Sequence, residues 1–158
     1  MIDNIDAKIL EMVQQDARLT NVTLAARVGL TKTAVFERVR KMEAAGIICG
    51  YETRLNPKKI KKGLVAFIFV RTEESFASQV TGKALTRIPE VLEVHNMAGE
   101  DCYLVKVRVE NTEALGKLLR DKFSKLKAIR STRTTIALDT LKETAYLPLN
   151  SMMEHNEP

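Results

Sequence analysis

The stretch TKTAVFERVRKMEAAG, residues 31–46, decides how the first third of the chain reads. Val35, Val39, Met42 and Gly46 recur at i, i+4, i+7 and i+11, one seam on a helix of 3.6 residues per turn. Thr33, Glu37 and Arg40 point the opposite way. Phe36 and Lys41 lie on the two flanks, and Arg38 lies near the edge of the seam. Thr31 carries a side chain able to cap the first free N–H groups, and Gly46 is suited to the C-terminal end. The spacing predicts a helix from about Lys32 to Ala45, with an apolar seam hidden and a polar, basic side in water.

Two more helices precede it. Ile5, Ile9, Leu10 and Val13 form one stripe, with Asp3 or Asp6 as the cap. Asn21 or Thr23 can cap a second, short helix with Leu24, Ala25 and Val28 inward, closed by Gly29. Two helices joined by a short glycine-containing turn make a helix-turn-helix. Entry into a major groove needs small or polar side chains at the outer, N-terminal positions of the second helix. Thr31, Lys32 and Thr33 supply them, followed by Glu37, Arg38, Arg40 and Lys41. Phe36 either packs against the first helix or touches a thymine methyl. These eight residues are the candidate DNA contacts; the competing reading is a plain three-helix bundle with a solvated basic face.

Charge bears on that choice. The chain has 158 residues and a formal net charge of +5. Residues 1–62 hold 12 of the 25 Lys and Arg against 7 of the 20 Asp and Glu, so the whole excess lies there and the remainder balances. A basic module joined to a neutral one is the electrostatic footprint of a nucleic-acid binder.

Residues 47–55, IICGYETRL, have strand composition, and Asn56-Pro57 marks a turn. Lys58, Lys59, Lys61 and Lys62 then crowd four cations around Ile60, either as a solvated linker or as an arm on phosphates. Cys49 reads as a small buried or half-buried hydrophobe.

From Leu64 the period changes. Residues 64–70 make an apolar strand. A helix from Ser75 carries Phe76, Val80, Ala84 and Ile88 on one stripe and stops at Pro89. Val91, Leu92, Val94 and Met97 form a second strand, Gly99-Glu100-Asp101 a turn, and Tyr103 to Val109 a third strand. Asn111 or Thr112 caps a helix with Leu115, Leu118, Leu119 and Phe123 inward; Ile129 to Leu138 is the last strand, and Glu143 to Leu147 suggests a short edge strand. The order β-α-β-β-α-β is a ferredoxin-like sandwich with both helices on one sheet face. The other face needs cover, which a twin subunit supplies economically. Two helix-turn-helix units on a two-fold axis read a palindrome. The fold class is therefore α+β. Residues 1–50 form a winged/helix-turn-helix three-helix domain and 51–62 a hinge strand and basic linker. Residues 63–150 form the ferredoxin-like dimerisation domain, the one to which the family resemblance given below adds effector binding, and 151–158 a polar tail.

Other functions find little support. His95 and His155 are the only histidines, and no phosphate loop, Cys-His metal spacing or serine elbow is present, so catalytic residues, metal and cofactor are expected to be none. No apolar run nears the roughly 18–20 residues of a membrane span. Asp3 and Asp6 precede any basic residue, unlike a secretory or transit leader. The expectation is a soluble intracellular protein, which the family resemblance that follows narrows to a cytoplasmic, nucleoid-associated one.

The chain resembles the Lrp/AsnC family, the feast/famine transcription regulators of bacteria and archaea. The resemblance rests on Ile5-Asp6-Ala7-Lys8-Ile9-Leu10, on LTKTAVFERVRKMEAAGIICGY from Leu30 to Tyr51, on Leu55-Asn56-Pro57, and on Gly99 before Tyr103-Leu104-Val105. It implies a sequence-specific DNA-binding regulator acting on double-stranded DNA with a palindromic operator. It further implies a homodimer, with dimers stacking into an octamer, and a small-molecule effector, an amino acid, held around the glycine turn and the last strand. Here those positions are Ala98, Gly99, Glu100 and Asp101, with Thr132, Thr134 and Thr135. The pattern departs at Cys102, where family members often carry Asp: either Asp101 or Glu100 takes the acidic role, or amino-acid binding is altered or lost. Without the family, Gly99-Glu100-Asp101 reads as a plain hairpin turn. The alternatives are an effector-independent architectural DNA-binding protein and the regulatory subunit of a metabolic enzyme.

Overall fold

The computed structural model describes residues 2–75, 78–99 and 102–149. The expectations for Phe76, Glu100, Asp101 and 150–158 lie outside the described residues. Two compact units result, one from residues 2–54 with 142–149 and one from 55–141.

In the first unit, α1 (Asn4–Gln15), α2 (Asn21–Val28) and α3 (Lys32–Ala44) follow from their caps. Asp3 accepts from the N–H groups of Ile5 and Asp6, and the Asp6 carboxylate accepts from the N–H of Asp3, closing a reciprocal capping box. Thr20, one residue ahead of the predicted Asn21, caps α2 by accepting from Thr23 N–H. Thr31 caps α3 through Ala34 N–H. Gly29 at φ 72° ends α2 in the left-handed region, which costs a residue without Cβ least. Ile9, Leu10, Leu24, Ala25, Val35 and Met42 form the core between the helices.

Three sequence expectations fail here. Residues 47–55 form no strand, because this unit offers, among the described residues, no second strand to pair with. Cys49 is exposed, with its thiol directed at the carbonyl of Gly46 at 3.3 Å. The expected edge strand at 143–147 is also absent. Residues 142–149 instead form a strap on α1. The Gln14 side chain donates to the Leu147 carbonyl at 3.1 Å and accepts from its N–H at 2.8 Å. Tyr146 bonds Glu11, Arg54 donates to the Glu143 carbonyl, and Leu149 packs on the apolar core. A side-chain amide can satisfy both backbone groups of one residue without a sheet.

In the second unit, β1 (Leu64–Thr72), α4 (Val80–Leu85), β2 (Val91–Asn96), β3 (Tyr103–Val109), α5 (Thr112–Asp121) and β4 (Ile129–Ile136) build one antiparallel sheet in the order β2-β3-β1-β4, with a 3-10 turn at Phe123–Lys125. Ala66, Ile68, Val70, Tyr103, Val105 and Val107 pack under Leu85, Ile88, Leu115, Leu118 and Phe123. Strand alternation sends Phe67, Phe69 and Leu104 to the other face, where they are half-buried and Arg133 lies 4.0 Å over the Phe69 ring.

The predicted face of α4 is displaced. Val80 is 71% exposed, while Thr81, Gly82, Leu85 and Ile88 are buried. Tyr103 explains the shift. Its ring lies so close to Gly82 that a Cβ there would come within 2.8 Å of it. Only a glycine-bearing face lets the helix approach the sheet at this point.

Gly82→Ala adds helix propensity but forces a methyl into the buried Tyr103 ring. The expected net effect is a loss of about 1–3 kcal/mol in denaturant unfolding. Gln14→Ala releases the strap: the Leu147 amide should exchange with solvent markedly faster, while amides in the middle of α3 keep their protection.

Candidate nucleic-acid interface and effector pocket

One-sided burial of α3 sets the first candidate site. Val35 is fully buried and Met42 nearly so. Thr31, Lys32, Thr33, Phe36, Glu37, Arg40 and Lys41 are all exposed on the same helix and its cap. Among the described residues, no ion pair engages Lys32, Arg40 or Lys41. The Thr31 hydroxyl accepts from Ala34 and keeps its own hydrogen to donate. Phe36 is 47% exposed, so the alternative in which it packs against α1 is not the one adopted. The outer side thus presents hydroxyls, three cations, one carboxylate and an aromatic ring, the side-chain types able to bond phosphates and base edges.

Arg38 departs from the rest. Its Nη1 donates to Asp3 Oδ2 at 2.6 Å and to Asp6 Oδ1 at 2.8 Å, and its side chain is 31% exposed. The guanidinium is held to the start of α1, at the edge of the seam where the sequence places it, instead of standing free in solvent like Arg40 and Lys41. Burial works to raise the Asp3 carboxyl, but the Asp6 N–H and the Arg38 guanidinium override it and hold the group below its usual range. The same two carboxylates push Arg38 up. Near the end of α3, Tyr51 donates to Glu43 at 2.9 Å; burial and that carboxylate raise the phenol.

A second candidate site lies in the other unit, beside the β2–β3 connection. A pocket of about 170 Å³ opens between Thr72, Glu74, Ser78, Met97, Gly99 and Cys102, with Tyr103 at its wall. That is below the roughly 300 Å³ of drug-sized sites and suits a small metabolite. Gly99 has φ 146°, a conformation that disfavours other residues, and Met97 N–H closes the turn onto the Cys102 carbonyl at 2.9 Å. Cys102 Sγ accepts from Thr72 N–H at 3.4 Å. Glu74 accepts from Thr81 through both its backbone N–H and its hydroxyl, and from the Ser78 hydroxyl at 3.0 Å. These bonds, that of the Thr81 hydroxyl first, hold the carboxyl below its usual range against the opposing effect of burial. Glu74 thereby covers a free N–H at the start of α4, which has no side-chain cap of its own.

Of the predicted effector residues that are described, only Gly99 lines this pocket. Ala98 adjoins it in the turn. Thr132 pairs with Val70 and Thr134 with Ile68, on the helix-covered face, whereas Thr135 pairs with Phe67 on the opposite face. One chain does not gather the three threonines around Gly99. Sequence reasoning missed Thr72, Glu74, Ser78, Met97 and Tyr103. The one signal available was Glu74 with Ser78 and Thr81 just ahead of a helix that lacks its own cap.

Comparisons with known proteins agree with both units. The family model described as Lrp/AsnC ligand binding domain matches residues 65–147, and that described as winged helix-turn-helix DNA-binding matches residues 2–48. The leucine-responsive regulatory protein of Escherichia coli K12 is 33% identical over 152 residues, 95% of this chain and 93% of that protein. The solved structure of a Neisseria meningitidis transcriptional regulator in complex with L-methionine aligns with a TM-score of 0.89 at 30% identity, over 97% of this chain and all of the other. A feast or famine regulatory protein of Mycobacterium tuberculosis, complexed with L-methionine, aligns at 0.84 and 33% identity over 93% and 99%. E. coli AsnC aligns at 0.84 and 30% over 94% and 99%. With its helix-turn-helix, its β2-β3-β1-β4 sheet and relatives matched over nearly its whole length, this chain belongs to the Lrp/AsnC family of DNA-binding transcriptional regulators.

Proposed function

We propose that the chain reads a palindromic duplex through the exposed side of α3, with Lys32, Thr33, Arg40 and Lys41 as its principal contacts and Thr31, Phe36 and Glu37 around them. The observation that carries this reading is the division of α3 into a buried Val35–Met42 seam and an outer side that keeps its cations in water. Arg40 is suited to bidentate bonding with guanine, and Lys41 to a phosphate. The protein acts as a homodimer joined through the sheet face that carries Phe67, Phe69 and Leu104, with an octamer as the larger assembly. The apolar character of that half-buried face supports it. Such a protein works on the chromosome, in the cytoplasm.

The pocket beside Gly99 receives a small amino acid. The support is its size, its glycine turn, and the L-methionine held by the Neisseria and Mycobacterium regulators. Ala98 and Gly99 offer backbone groups to a carboxylate. The predicted Glu100, Asp101, Thr132, Thr134 and Thr135 complete the effector set proposed for the assembled protein.

Mobility-shift titrations test the DNA reading. Affinity should fall steeply with salt, with a log-log slope of about −0.9 for each phosphate neutralised. Arg40→Ala should cost about 1–3 kcal/mol at the preferred site and relax sequence preference there, while Lys41→Ala should weaken all sequences alike and lower the slope by about one. A flat salt response, or unchanged selectivity in both variants, would count against these assignments. Calorimetric titration with L-methionine and L-leucine should give saturable heat; none with any amino acid favours the effector-independent architectural reading. For Glu74, the folded carboxyl titrates below its unfolded value. Its contribution is therefore complete above the ordinary glutamate range and is lost as pH falls through the lowered value. Hydrogen exchange around Thr81 should rise over that acid interval in the wild type, and Glu74→Gln should remove the pH dependence.

A further inference from the structure

The bonds around Arg38 divide the oxygens of two carboxylates. Asp3 spends Oδ1 on the capping bonds from Ile5 and Asp6, and Oδ2 on Arg38. Asp6 spends Oδ2 on the N–H of Asp3 and Oδ1 on the same Arg38 nitrogen. A single Nη1 with two hydrogens thus bridges both acids, and the N-terminal cap of α1 is built into the attachment of α3.

The location matters for reading DNA. At about 100° per residue, Arg38 lies roughly 40–60° round the helix from Val35 and Met42, between the buried seam and the outer side. Apolar packing tolerates small rotations and slides, because it is non-directional. A charge-assisted pair of hydrogen bonds is directional and short. The clamp is the only attachment of α3 to α1 among the described residues that fixes rotation about the helix axis by hydrogen bonding. It also lowers the positive charge near the outer side, since two carboxylates outnumber one guanidinium.

On these grounds we propose that Arg38 is a positioning residue for sequence recognition: clamped to Asp3 and Asp6, it sets the rotation of α3, and thereby the aim of Thr33, Glu37 and Arg40, without being one of the phosphate contacts. The inference rests on α3 being the helix that reads DNA. It makes a prediction of unusual sign. Neutralising Asp3 or Asp6 makes the protein more positive, so charge alone would tighten DNA binding, yet the clamp requires weaker binding at the preferred site.

The test uses the full-length protein and two probes: the duplex it enriches from a random pool, and the unselected pool. Asp6→Asn and Asp3→Ser, the latter keeping a good capping side chain, should each lose roughly tenfold or more on the enriched duplex while binding the unselected pool as tightly as wild type or tighter. Arg38→Gln should show the same loss on the enriched duplex with its salt slope on the pool unchanged. Arg38→Lys should recover part of the loss, and the Asp6→Asn/Arg38→Gln double variant should be no worse than Arg38→Gln. Circular-dichroism melts identify any variant that fails to fold, and the remaining variants then decide. The inference is overturned if the acid-neutralised variants hold the enriched duplex as tightly as wild type, or if Arg38→Gln lowers the salt slope by about one, the mark of a phosphate contact. Should the wild type enrich no sequence at all, it is the reading helix that fails rather than the clamp.

Discussion

Val35 and Met42 must leave water, and they sit two turns apart on a helix of only 13 residues. Burying a side chain of this kind stabilises by about 1.5–3 kcal/mol, enough to fix which way the helix faces in so small a unit. Once the seam is committed to Ile9, Leu10, Leu24 and Ala25, the outer residues of α3 have nowhere to go but solvent. The caps support this arrangement. Asp3, Thr20 and Thr31 each satisfy N–H groups that would otherwise be unpaired, so three short helices start where they do without help from neighbours. The DNA reading proposed for α3 rests on that simple partition, since the part of the helix that cannot be buried is the part left in solvent.

Directional bonds refine what burial only roughs out. The Arg38 bridge to Asp3 and Asp6 uses oxygens left over from the capping box, so the cap and the attachment of α3 form one network. In the second unit, Glu74 plays a comparable part at the start of α4, where a carboxylate seven residues upstream does the work of a missing cap. Gly82 lets that helix sit on the Tyr103 ring, and the Tyr103 hydroxyl reaches back to the Ser78 carbonyl. Glu74, Ser78 and Tyr103 also line the pocket beside Gly99, so contacts that dock α4 help shape the proposed effector site.

Much of this was legible in the residues themselves. Among the described residues, helical and strand periodicities located α1, α2, α3, α5 and the four strands of the sheet, and α4 with a displaced face, because burial on one face imposes a period of 3.6 or 2 on the residues that supply it. Gly29, Thr31 and Asn111 announced their roles as caps, since those need only a local backbone geometry. The outer row of α3 could be named for the same reason: it is the complement of the seam. Phe36, Val80 and Cys49 were harder. An apolar side chain on the flank of a stripe can go either way, and which way depends on what its neighbours leave uncovered.

Sequence alone determined the two architectures, the order of elements, the concentration of positive charge in the first 62 residues and the side of α3 that faces outward, because each follows from spacing or counting along the chain. Only the tertiary structure decided that Arg38 turns to Asp3 and Asp6, that residues 142–149 lie on α1 instead of forming a strand, that 47–55 stays unpaired, and that Glu74, Cys102 and Tyr103 share a pocket with Gly99. Those facts depend on groups separated by up to 135 residues meeting at hydrogen-bonding distance, and no local period records which distant partner a polar side chain will find.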